Sequence, residues 1–386
     1  MIHLRVFLRR SSPATALALA LAWPAGRAAA QPVNAAPIPV DPAPMYVADP
    51  FVGAGFAGLM DDPGTGMVRT WPRWFAGASG LVMTRTLPAG SATMEPLAGA
   101  RLSTADAGAS WSGGVDLHVG RWFGMRQQHA VELVYWGVYG IGGDASRFTS
   151  GGITAIPQAP GVDVAGVNAS AYLDGASGQS ISRADVINDV EINWVYSLWD
   201  RPEFLPRERG VNLMWLTGFR YFGIGDTLTL TTFSGDDALG GLDLRVATAN
   251  SIYGAQVGAK FDWRFLPRVR LTVVPKFMIG GNAITNTSSF AGSDGAEANF
   301  VGGGDASVHS TLGVFSWLGS VDTGVAWDVT DRWSLWMGYR VVGVGNIAQA
   351  DGQWPTLVTG PASLSGIDAG SSSIVHGGFA GFQGRY

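Results

Sequence analysis

Residues 317–342 read W-L-G-S-V-D-T-G-V-A-W-D-V-T-D-R-W-S-L-W-M-G-Y-R-V-V. Before a polar turn at Thr330, Asp331 and Arg332, Trp317, Val321, Val325 and Trp327 occupy odd positions. Ser320, Asp322, Gly324 and Asp328 occupy even ones. After the turn, Trp333, Leu335, Met337, Tyr339 and Val341 share one face, with Ser334, Gly338 and Arg340 opposite and Trp336 the exception among them. Alternation with period two predicts two strands, each with one face in an apolar medium and the other in a polar one. Trp327 and Trp333 flank the turn, where amphipathic indoles suit a membrane–water interface.

The pattern recurs. Amphipathic strands are expected at residues 74–85, 111–123, 130–141, 187–199, 211–222, 250–263, 269–280, 317–329, 333–342 and 373–386, with strand character continuing through 227–233. Ten strands, whose connections alternate between long and short, predict an all-β, up-and-down antiparallel transmembrane β-barrel with long outer loops and short periplasmic turns. Twelve strands would result if a long loop hid a hairpin. The long loops read as too poor in apolar residues to hold cores of their own.

Composition agrees. Charged residues make up 14% of the 386, against roughly 25% in soluble domains. There are 55 Gly and 15 Trp, and twelve of those Trp fall on expected strands. Outside the N-terminus no apolar run approaches the ~18 residues of a spanning helix. The absence of Cys excludes disulfides and thiolate chemistry. A net charge of −5 without a basic stripe argues against a nucleic-acid partner.

Residues 1–30 read as a signal peptide: Arg5, Arg9 and Arg10, then an apolar run, then Ala28, Ala29 and Ala30 before Gln31. Residues 31–70 read as a Pro/Gly-rich linker, and the barrel is expected over 71–386.

A charge facing lipid at mid-bilayer costs roughly 2–4 kcal/mol for Arg or Lys, so strand charges belong inside the barrel. The expected lumen-lining set is Asp116, Glu132, Glu191, Arg220, Lys260, Asp262, Lys276, Asp322 and Arg340. Opposite charges in so narrow a space are expected to pair across it. The expected interface aromatics are Trp122, Trp199, Trp263, Trp327, Trp333 and Tyr386.

Signals for catalysis are weak. Residues 53–58, G-A-G-F-A-G, match a dinucleotide fingerprint without the strand and helix it requires. No G-x-S-x-G or H-E-x-x-H occurs. His309 beside Ser310 and near Asp305 is the one loop candidate for a hydrolytic set. Neither an enzyme nor a cofactor is expected, and no His stands at metal-ligand spacing.

The segments 218–222 (G-F-R-Y-F), 250–258 (N-S-I-Y-G-A-Q-V-G), 189–193 (D-V-E-I-N), 333–340 and 377–383 (G-G-F-A-G-F-Q) together resemble the planctomycete outer-membrane β-barrel (porin) family. The resemblance spans roughly residues 74–386. It implies an outer-membrane barrel in a bacterium with two membranes and carries no catalytic residues. The final G-R-Y resembles the closing strand read by the barrel assembly machinery. The expected partners are therefore the outer-membrane bilayer and that machinery. The leading functional expectation is a narrow porin-like pore for small solutes. The alternative is a non-conducting structural or surface-interaction barrel with a salt-bridged lumen.

Overall fold

Alternation over long Val-, Thr- and aromatic-rich runs favours extended backbone, and in the computed structural model these runs pair into a single ring. It describes residues 73–94, 101–199, 210–234 and 240–386. The signal peptide, the linker, the Gly-rich 53–58 motif and the charged 200–209 turn lie outside the described residues.

The ring has ten strands: β1 Trp74–Arg85, β2 Ser112–Phe123, β3 His129–Ile141, β4 Asp174–Ser197, β5 Gly210–Phe233, β6 Gly241–Leu266, β7 Val269–Gly292, β8 Ser307–Asp328, β9 Trp333–Ile347 and β10 Ser371–Arg385. Each is antiparallel to its sequence neighbours, β3 pairs with β4, and β10 returns to β1. The sheet thus has no open edge through the ring. The segment Asp144–Thr154 continues β3 along the outer part of β4. Val162–Val164, Val167–Asn168 and Ala298–Phe300 form a small separate sheet. Neither adds a strand to the ring.

At the short-turn end the strands match their sequence pattern closely. At the other end β4 to β8 run far beyond it. The reason is a reversal of polarity along each long strand. Near the short turns, β4 turns Ile192, Trp194 and Tyr196 outward and Asp189, Glu191 and Asn193 inward. Farther along, the same strand turns Ser180, Ser182 and Ala184 outward and buries Ile181. On β5, Thr227, Thr229 and Thr231 replace Trp215 and Phe219 on the outer face, and Leu228 and Leu230 point inward. The lower half suits lipid outside; the upper half suits water.

The apolar band has the height of a membrane. From outward Tyr253 to outward Trp263 on β6, a rise of ~3.3 Å per residue gives ~33 Å along the strand. Tilted by 35–45°, that is about 25 Å, the height of a transmembrane barrel's apolar belt. Tyr221 and Tyr253 pack 5.0 Å apart at its upper edge.

The long connections do hold a core, contrary to expectation. Leu102, Ile153, Val162, Tyr172, Trp354 and Val358 bury themselves against Leu228, Leu244 and Phe290 of the extended strands. No single loop carries enough apolar residues for this. Several loops on a shared strand platform do.

Candidate functional site

The interior is layered. Inward residues of one strand give the order directly: β5 presents Arg220, Phe222, Ile224 and Asp226, and β4 presents Glu191, Asp189, Ile187 and Asp185. Moving away from the short turns, ions come first, then an apolar layer, then ions again.

The first ionic layer spans the lumen. Lys276 Nζ donates to Glu191 Oε2 at 2.8 Å and Oε1 at 3.0 Å, from β7 to β4. Arg220 Nε donates to Asp189 Oδ2 at 2.6 Å, and its Nη1 donates to Ser320 Oγ at 3.2 Å. Arg340 on β9 clamps Asp322 through Nε at 2.8 Å and Nη2 at 2.9 Å, and Nη2 lies 2.8 Å from Asp116 Oδ2. Gln256 Nε2 donates to Glu191 Oε2 at 2.9 Å. Buried charges in this setting need such partners, because each unpaired ion would cost several kcal/mol.

Nearer the turns, Asp328 gathers Arg264 at 2.9 Å, Arg270 at 3.3 Å and Arg385 at 3.6 Å, and accepts from Ser334 Oγ at 2.7 Å. Between this rim and the first layer lies a cavity lined by Phe75, Trp122, Glu132, Lys260, Trp336 and Arg340, among others. Gly120 leaves the space that the Phe75 ring occupies.

Above the first layer, Leu81, Met83, Trp136, Phe222, Met278 and Leu318 meet in the lumen, each buried to within 2% exposure. Above these sits a second ionic cluster. Arg85 Nε donates to Asp185 Oδ2 at 2.6 Å, and Arg85 Nη2 lies 2.8 Å from Asp226 Oδ2. Arg183 reaches Asp226 at 2.9 Å and Asp351 at 2.7 Å. Asp351 belongs to the connection between β9 and β10, which tucks into the barrel. There Ala348 N donates to Asn250 Oδ1 at 2.9 Å, and Asn250 Nδ2 donates to Ala348 O at 2.7 Å.

All nine sequence-predicted charges occupy inward positions, but only six form ion pairs in the first layer, in two clusters: Glu191 with Arg220 and Lys276, and Arg340 with Asp116 and Asp322. Glu132 and Lys260 line the cavity without an ion pair among the described residues. Asp262 accepts from Thr272 Oγ1 at 2.5 Å. Sequence reading missed Asp189, Arg85, Arg183, Asp185, Asp226 and Asp351. For Arg183, Asp185 and Asp189 a signal existed, since they share the parity of Glu191 on one strand.

Among the interface aromatics, Trp199, Trp263, Trp327, Trp333 and Tyr386 are exposed on the outside near the short turns, and Trp333 packs edge-on to Tyr386 at 5.9 Å. Trp122 is a correction: it points inward, 4% exposed, packed 6.1 Å from Phe75. Its even parity, opposite to outward Val115, Leu117 and Val119, sets its direction. His309 is another correction: it stands on β8, not in a loop, 3.1 Å from Thr287 Oγ1. Among the described residues no group of three or more His, Asp or Glu is placed to hold a metal ion.

No protein-family model matches the chain, and no curated protein does. Several solved β-barrels do. An outer membrane protease, OmpT from Escherichia coli, is 11% identical, with a TM-score of 0.42 over 81% of this chain and 97% of that one. A major outer membrane protein from Thermus thermophilus is 9% identical, with a TM-score of 0.30 over 81% and 98%. The translocator domain of the autotransporter NalP from Neisseria meningitidis is 10% identical, with a TM-score of 0.34 over 83% and 91%. The barrel assignment stands on the closure of the sheet itself and on the outward apolar belt.

Proposed function

We propose that this chain is an outer-membrane barrel that does not conduct and that carries a packed body of strand ends and loops on the far side of the bilayer from its short turns. The observation that carries the reading is the filled lumen: an apolar layer between two networks of buried ion pairs. A hydrated path would have to cross Trp136, Phe222 and Met278, each at most 1% exposed. The resemblance to the planctomycete barrel family is part of the same proposal. So is recognition of β10, the strand that closes the ring, by the barrel assembly machinery.

The test is planar-bilayer conductance of the refolded chain. The expected result is no discrete channels across a range of voltages. Reproducible unitary openings of the unmodified protein overturn the reading.

One observation favours the narrow pore instead. The cavity near the short turns is lined by charged side chains, as the lower half of a narrow pore would be. If the ions alone close the path, neutralising Lys276 and Glu191 together will create conductance. If the apolar layer closes it, the double variant stays silent.

A further inference from the structure

The cavity near the short turns has unsatisfied chemistry. Its volume is about 120 Å³, room for several waters. On the β3, β4 and β5 side its wall is apolar: Val134, Val195, Met214 and Leu216. On the β2 and β9 side Trp122, Trp336 and Arg340 line it, beside Asp116 and His118. Trp122 Nε1, Trp336 Nε1 and Arg340 Nη1 are all buried without an acceptor, as is Arg270 Nε. Trp122 and Arg340 are only 4% and 5% exposed. Each such orphan is destabilising unless something accepts from it. Arg340 already directs Nε and Nη2 to Asp322 and Asp116, so Nη1 is its remaining donor.

Lys260, Arg270, Lys276 and Arg340 line the cavity with Asp116, Glu132 and Asp322, but Arg270 is held by Asp328 and Lys276 by Glu191. Asp116 and Asp322 are both engaged by Arg340, whereas the Lys260 ammonium has no ion-pair partner among the described residues. Glu132 is the one lining carboxylate left over. The donors therefore outnumber the acceptors, beside a wall suited to a hydrocarbon body. Glu132 and Lys260 are only partly buried, while the apolar layer seals the other side.

We propose that this cavity binds a small organic anion, a carboxylate on an apolar or aromatic body. The carboxylate would accept from the Arg340, Trp336 and Lys260 donors, and the body would lie on Val134, Val195 and Leu216. The proposal holds whether or not the barrel conducts, and its failure is read separately from that of the closed-barrel reading.

The experiment is titration calorimetry of the refolded full chain in a non-ionic detergent. Sodium benzoate is the probe and benzylamine its oppositely charged counterpart. Saturable benzoate binding with none for benzylamine is expected. Lys260→Met should weaken benzoate binding about tenfold, the worth of one charged hydrogen bond. Trp336→Phe, which keeps a ring and removes the N–H, should weaken it several-fold. Heat-shifted gel migration checks that each variant has folded. If a variant does not fold, the unmodified chain still decides through the benzoate and benzylamine pair. No saturable benzoate heat, as when waters alone satisfy the donors, overturns the proposal. So does equal binding of benzylamine, or benzoate binding unchanged in both folded variants.

Discussion

The two halves of a single strand obey opposite rules. Below Ile187, β4 puts Trp194 outside and Glu191 inside; above it, the strand puts Ser182 outside and Ile181 inside. The backbone ladder to β5 continues unbroken from Ser197↔Met214 to Gly178↔Phe233. Strand geometry is therefore indifferent to the medium, and side-chain polarity alone records where the bilayer stops. What the lower half gains from lipid outside, the upper half gains from a core inside.

The difference between the halves is tested hardest at the ions. Arg220→Met strips Asp189 of its cation and removes one of two from around Glu191. Removing one partner of a buried pair costs about 3–5 kcal/mol. Urea unfolding in lipid vesicles should show that loss. A midpoint near that of the unmodified chain would mean water reaches Asp189 freely.

Leu230→Ala tests whether the upper core bears weight of its own. Leu230 is fully buried, and truncating such a side chain costs about 2–5 kcal/mol. Protease added to the loop side should then cleave the outer connections sooner, with the lower barrel still intact on heat-shift gels. Equal protease resistance would deny that a core exists there.

A matched pair of arginines locates the boundary between the halves. Val257→Arg places a cation on the lipid face near the middle of the apolar belt, at a cost of roughly 2–4 kcal/mol. Thr229→Arg, on the outer face of the upper half, should stay within about 0.5 kcal/mol. Equal losses at both sites, measured by the same unfolding titration, would move the bilayer boundary well above Val186.

The lower half was legible in the sequence because lipid forces a strict code. With a large apolar side chain at every second position, strand limits such as Trp74–Arg85 and the inward placement of Asp116 or Arg340 follow from counting. Trp122 shows where the code was misapplied: closeness to a turn suggested an interface, but parity decides direction. The upper half was opaque for a physical reason. Its outer face is Ser, Thr and Ala, as in any soluble sheet, so the Gly- and Ser-rich runs read as loops. Its ion pairs join residues remote in sequence. Asp351 reaches Arg183 only because the connection before β10 folds inward, and no local pattern encodes that. The donors of the cavity wall were hidden similarly. Trp336 showed itself only as a breach of alternation, with no hint of what its N–H lacked.

The seam between β1 and β10 has a kinetic meaning. Phe75 pairs with Arg385, and Arg73 N and Trp74 N both donate to Tyr386 O, at 2.7 and 2.9 Å. The other ring pairings join strands adjacent in the chain, but this one joins the first strand of the ring to the last. Closing so large a loop is entropically the most costly contact in the molecule. Until it forms, β1 and β10 each expose a row of unpaired backbone groups that a bilayer cannot satisfy. The ring must therefore close before or as it enters the membrane. Assembly is then a search by two particular strands for each other, and whatever holds those two edges during that search governs how fast the protein matures.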